Sequence, residues 1–176
     1  MSAPADDVAG LERMVERLTQ LVTRVDLPRD LGVLSLSFRD VVGRRHRVAL
    51  LRSAALLRPD DLTLVGFFGR RRSAPRDATH PGVDPLLIDE LRDHPGIVSY
   101  SSLDLGDGES GDMVLATSRR AVDDWQRAAR RGHASRALAP RHFATVRIHT
   151  GVVEGGVISG RRPTIASTRR LDFLAA

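Results

Sequence analysis

From Val8 to Val25 apolar residues recur at alternating steps of three and four: Val8, Leu11, Val15, Leu18, Val22 and Val25, with Met14 and Leu21 on the same face. That spacing predicts an amphipathic helix with Glu12, Arg13, Glu16, Arg17 and Arg24 on its wet side, packed on its own domain or on a subunit partner. "LPRDLG" breaks the helix, so residues 1–30 read as a helix and its linker. From Leu31 the period changes to two: "LGVLSLSFR" sends Leu34, Leu36 and Phe38 one way and Ser35, Ser37 and Arg39 the other, a half-buried strand. "RRHRVALLRSAALLR" reads as a helix with Val48, Leu51, Ala55 and Leu56 inward, stopped by Pro59. "LTLVGFFG" is nearly all apolar, the mark of a central strand.

Residues 69–85 lack a period and are rich in Pro, Gly and Arg, as loops are. "PLLIDELRDH" predicts a short helix ending at Pro95-Gly96, and "IVSYSSLDL" and "DMVLAT" predict two antiparallel strands joined through "GDGESG" by a hairpin slightly longer than the tightest type. After Ser118, an N-cap, Ala121, Val122, Trp125, Ala128 and Ala129 form one apolar helical face that Gly132 can end. "FATVRIHTGVV" is the last predicted strand, with Ala144, Val146, Ile148 and Val152 on one face and Thr145, Arg147 and His149 on the other. Residues 156–176 read as an irregular tail docking through Ile165, Leu171 and Phe173. Helices mixed with an antiparallel hairpin imply an α+β domain over 31–155, an open sheet with helices on one face.

The polar strand faces carry the functional reading. If the helices take the apolar face, the other face carries Ser35, Ser37, Arg39, Tyr100, Ser102, Asp104, Thr145, Arg147 and His149. Polar groups at period two on three strands suit a face that is solvated, lines a cavity, or is closed over by a second subunit. His149 is the sharpest chemical candidate: an imidazole with Asp104 in reach is a general acid/base pair, and Arg147 can hold an enolate or carboxylate. Tyr100 joins these as the fourth catalytic candidate; Ser35, Ser37, Ser102 and Thr145 are candidate pocket positions, and Phe67 and Trp125 its apolar walls.

Composition narrows the chemistry. The chain has no cysteine, which excludes disulfides, thiolate metal sites and cysteine nucleophiles. No apolar run reaches the roughly 18 residues of a membrane span, and the N-terminus lacks a basic, apolar leader, so the expectation is a soluble cytoplasmic protein. All 27 basic residues are arginine and the net charge is +5. That bias is first a matter of coding composition, and second the basis of a rival reading, an arginine-rich module binding nucleic acid or an acidic partner. Aromatic content of 4% gives single-stranded nucleic acid no stacking platform, which weighs against it. "GDGESG" joins two strands and carries acids where a phosphate would sit, and no GxGxxG, GxSxG or HExxH spacing occurs.

The run "HPGIVSYSSLDL", "GDMVLATSRRAVDDWQRAARRGHASRALAP" and "VRIHTG" resembles the dimeric α/β-barrel superfamily, in particular its antibiotic-biosynthesis monooxygenase-like branch. The elements that carry the resemblance are Pro95-Gly96 entering a strand, the strands around Tyr100 and Val114, the Ala121…Trp125…His133 run and the strand around Ile148, about residues 60 to 153 in all. The resemblance implies a ferredoxin-like fold that dimerises face to face, with a pocket between sheet and helices. It implies monooxygenase-like, cyclase or isomerase chemistry of secondary metabolism on a hydrophobic or aromatic metabolite. In haem-degrading relatives a Trp and a His on this helix belong to the site, which makes His133 a candidate haem ligand and a haem-binding protein the alternative function; otherwise no cofactor is expected. The chain departs from simple members in its N-terminal helix, its extra unit at 31–58 and its tail.

Overall fold

A computed structural model describes residues 3–24, 27, 32–71, 85–131 and 143–173. The first helix, α1 (Ala5–Arg24), follows the three-and-four spacing, and buries Leu11, Met14, Val15, Leu18, Leu21 and Val22. Seven strands follow: β1 (Leu34–Arg39), β2 (Arg45–Leu50), β3 (Leu62–Arg71), β4 (Ile97–Gly106), β5 (Glu109–Ala116), β6 (Phe143–Val153) and β7 (Thr164–Asp172). They form one antiparallel sheet in the order β1-β2-β4-β5-β3-β6-β7. Between them lie α2 (Ser53–Leu56), α3 (Pro85–Arg92) and α4 (Arg119–Arg131).

The inner strands β3, β4, β5 and β6, with α3 and α4 as the crossovers, have βαββαβ connectivity, which is compatible with a ferredoxin-like fold. Around that unit β1 and β2 extend the sheet beyond β4, and β7 extends it beyond β6. The strands β1 and β7 are the two edges.

The sheet is covered on both faces, which corrects the expectation of helices on one face. On one side α1 and α2 pack on Val48, Leu50, Leu62, Leu64, Phe68, Met113, Leu115 and Val153. On the other, Leu91 of α3 and Val122 and Trp125 of α4 pack on Val65, Tyr100, Val114 and Ala116. The physical reason is that β3 and β5 carry apolar residues on both faces, Leu64, Phe68, Met113 and Leu115 on one and Val65, Val114 and Ala116 on the other, so a single helical layer would leave one of them wet.

Two further expectations are corrected. Residues 45–50 are a strand, because Asp40 and Gly43 close a hairpin and His46, Val48 and Leu50 then alternate inward; the helix shrinks to Ser53–Leu56. The stretch read as an irregular tail carries a 3-10 turn, Val157–Ser159, and the edge strand β7, whose partner is β6. The β4–β5 connection is also tighter than expected, turning on Asp107 and Gly108 with φ of 50° and 76°. Left-handed backbone at both central positions is the signature of the primed hairpin turns.

Candidate functional site

The alternation on β6 puts Arg147 and His149 on one face, as expected, but it is the α1 face. There His149 is fully buried and meets Asp7, from the first turn of α1, at 2.8 Å through Nε2. Its Nδ1 lies 2.9 Å from the Thr168 hydroxyl of β7. Nε2–H donates to the Asp7 carboxylate, and Nδ1 and the Thr168 hydroxyl share the second hydrogen bond. Arg147 grips the same carboxylate with two hydrogen bonds, Nε to Oδ2 at 2.7 Å and Nη2 to Oδ1 at 2.8 Å. Burial pushes the Asp7 pKa up, and the His149 and Arg147 hydrogen bonds and charges outweigh it, leaving the carboxyl below its ordinary value.

Thr168, His149 and Asp7 stand in the order of a nucleophile, base and acid. Yet the carboxylate is neutralised by the Arg147 fork, and the ring lies between α1 and the sheet with an edge-on contact to Phe68 at 5.4 Å. A base sealed from solvent and already satisfied at both nitrogens has no proton to exchange with a substrate. The cluster is a polar anchor holding the start of α1 on the sheet.

Tyr100 and Asp104 are on the opposite face, so the predicted constellation of His149, Arg147, Tyr100 and Asp104 is divided by the sheet itself. Asp104 is exposed and turns back to accept a hydrogen bond from Gly106 N–H at 2.9 Å. Thr145 follows Arg147 onto the α1 face, where it pairs with Asp172 of β7. Ser35 and Ser37 are exposed on β1, and Ser102 is half-buried on β4. His133 lies outside the described residues.

The structure brings Tyr100, Phe67 and Trp125 together. They line a cavity of about 220 Å³ between the sheet and the helices α3 and α4, with Leu87, Val114, Val146 and Phe143 completing the apolar wall and Ser110 and Asp112 adding polar groups. Trp125 stands edge-on to Phe67, centroids 6.1 Å apart and planes at 89°. Gly69 makes room for the Phe143 ring, since a side-chain carbon there would come within 2.4 Å of it. Two of the residues that line it carry polar groups of interest. The Tyr100 hydroxyl donates to Asp112 Oδ1 at 2.8 Å. Burial, the Asp112 charge and that hydrogen bond raise the phenol well above its ordinary value, so it stays protonated and remains a donor. Trp125 Nε1–H is buried and has no hydrogen-bond partner among the described residues, a costly state that an acceptor on a bound molecule would relieve.

Sequence reasoning missed Asp112, whose signal was available: Ser110, Asp112 and Val114 alternate on the face that Tyr100 shares. It also missed Asp7, which sits four positions before Leu11, on the helix stripe that faces the sheet.

Of the side chains that hold a haem iron, the described lining of the cavity contains only the Tyr100 phenol, which stays protonated on Asp112, and the candidate ligand His133 is not among the described residues. Among the described residues no group of three His, Asp or Glu side chains is placed to hold a metal ion. No described helix is long and apolar enough to cross a membrane. No family model, curated protein or solved structure matches the chain.

Proposed function

We propose that the chain binds a small apolar or aromatic molecule in the cavity between the sheet and α3 and α4. The observation that carries this reading is the buried, unpartnered Trp125 Nε1–H beside an aromatic-walled space. A closed apolar cavity of roughly 150 Å³ accepts benzene, so 220 Å³ suits a one-ring or compact two-ring compound. Such a ligand places a carbonyl, ether or hydroxyl oxygen on Trp125 Nε1–H and its ring against Phe67 and Phe143. Turnover of the monooxygenase-like or cyclase kind is supported by the resemblance of residues 60–153, and binding by the cavity. The face-to-face dimer that the resemblance implies meets α1, which lies on the sheet face that a second subunit would cover.

Trp125 is the single tryptophan of the chain and reports directly on the site. Titration with 4-nitrotoluene, a neutral and non-fluorescent quencher, should quench its emission saturably, with toluene competing. Iodide, confined to solvent, should quench little. Val146→Phe, which fills the cavity from β6, should abolish the saturable component with the circular dichroism spectrum unchanged. Linear quenching that toluene does not relieve would remove the pocket reading.

A further inference from the structure

The face of the sheet that holds the cavity continues onto β1 and β2, where Ser35, Ser37 and Arg39 are exposed and Arg45 and Arg47 half-buried. One cross-strand row runs across it in register: Ser37 opposite Arg47, Arg47 opposite Ser102, Ser102 opposite Asp112, Asp112 opposite Phe67, and Phe67 opposite Ile148. At its inner end the row lies under Trp125; at its outer end Ser37 is exposed and Arg47 is half-buried. Arg45 is two residues along β2 from Arg47 on the same face, and is directly opposite Arg39 of β1.

Like charges at directly opposed sheet positions repel, and no ion pair joins Arg39, Arg45 or Arg47 to a described acid. Arg39 turns to donate to the Gly43 carbonyl at 2.9 Å, within its own hairpin. Asp104, the acid on this face of β4, is folded back onto Gly106. Asp112 is engaged by the Tyr100 hydroxyl. Among the described residues, then, Arg45 and Arg47 have no carboxylate partner, and they stand one strand from Tyr100. Partial burial and the Arg45 charge pull the Arg47 pKa down, and an anion beside the two guanidinium groups would offset both.

We propose that the ligand of the cavity is an amphipathic carboxylate, its ring or apolar end between Phe67 and Trp125 and its carboxylate on Arg47, with Arg45 beside it. The inference rests on the pocket reading above and specifies its ligand. Three strand spacings of about 4.8 Å separate the Phe67 and Arg47 positions. The Arg47 side chain spans part of that distance, and a linker of about four carbons spans the rest. The linker passes over Ser102, and the Tyr100–Asp112 pair marks the boundary between the apolar and the charged halves of the site.

Displacement of 4-nitrotoluene from the Trp125 site, followed by fluorescence at low ionic strength, compares 5-phenylpentanoate with its neutral amide. The carboxylate should bind about tenfold more tightly or better, as a charge-assisted bidentate contact provides. Arg47→Gln should remove that preference while leaving the affinity for the amide unchanged; Arg45→Gln should reduce it in part, and Arg47→Lys should restore some of it. Equal affinities for acid and amide, or an Arg47→Gln variant that weakens both alike, would overturn the carboxylate site and leave the pocket standing. If neither compound displaces the quencher, this assignment falls, and if 4-nitrotoluene itself fails to bind saturably, the pocket reading falls with it.

Discussion

Asp7 is the most consequential single residue on the α1 face. Moving a carboxylate out of water costs several kcal/mol, and here three donor hydrogens offset that cost: two from Arg147 and one from His149. Removing the acid leaves Arg147, only 17% exposed, and a fully buried imidazole without their common partner. Asp7→Ala is therefore expected to destabilise the fold by about 3–5 kcal/mol, whereas Asp7→Asn, which keeps the shape and one acceptor, should cost less. Urea unfolding at pH 7, followed by Trp125 emission, checks both. A shift in midpoint for Asp7→Ala no larger than that of an exposed-site substitution such as Asp6→Ala would show that the anchor contributes nothing to stability. Legibility at this scale was uneven. Alternation places Arg147 and His149 side by side correctly, but cannot say which face they share, because β6 carries polar and apolar residues on both. The deciding partner comes from about 140 residues away, and an acidic residue in a first helical turn ordinarily reads as a solvated charge favoured by the helix dipole.

Among the elements, β2 and the β4–β5 turn show where local pattern wins and where it loses. "HRVALLRSAALL" fits a helix through Val48, Leu51 and Ala55, and a strand through His46, Val48 and Leu50. Nothing inside the run decides between them. The decision lies in the preceding turn, where Asp40 Oδ1 accepts hydrogen bonds from the Val42 and Arg44 amides at 3.0 and 2.8 Å and commits the chain to a hairpin. The amphipathic α1 and the apolar face of α4 were legible because each buries a long stripe against one surface. The strand β7 was not, since an edge strand with exposed Arg169, Arg170 and Asp172 carries the charges that keep an open edge from pairing with another copy, and so lacks an apolar period. In the β4–β5 turn the whole span "GDGESG" reads as a slightly longer hairpin, and it is the dipeptide Asp107-Gly108 within it that makes the tight one. Gly108 there holds φ of 76° with open space around it, so Gly108→Ala meets backbone strain and no clash. The expected loss is about 1–2 kcal/mol, read as a lowered thermal midpoint; a neutral result would mean that the turn relaxes to a conformation in which φ is negative.

For the molecule as a whole, the division of labour between the two sheet faces sets its response to acid. The cavity and the arginine row belong to the face under α3 and α4, while the titratable groups that matter for stability lie under α1. His46 of β2 is 7% exposed, its Nε2 has no hydrogen-bond partner among the described residues, and it stands edge-on to Phe38, over whose ring Arg17 of α1 is placed at 4.7 Å. Burial, and then the charges of Arg17 and Arg13, pull its pKa down from 6.5 to about 4. The unfolded chain therefore takes up a proton below 6.5 that the folded chain refuses until about 4, so the stabilisation is complete above 6.5 and is lost as the pH falls through that window. The full span corresponds to about 3 kcal/mol. Asp7 acts lower: its folded pKa lies below the ordinary 3.8, so its contribution is present above that value and is lost as the pH falls further. Acid is thus expected to weaken the α1 face in two stages, His46 first and Asp7 second. Urea midpoints measured from pH 7 to pH 3 should decline in both stages for the parent chain. His46→Leu should flatten the upper stage alone, and Asp7→Asn the lower stage alone. A His46→Leu profile parallel to the parent between pH 6.5 and 4 would show that the imidazole is protonated within the folded chain, and would require α1 to open locally before the sheet does.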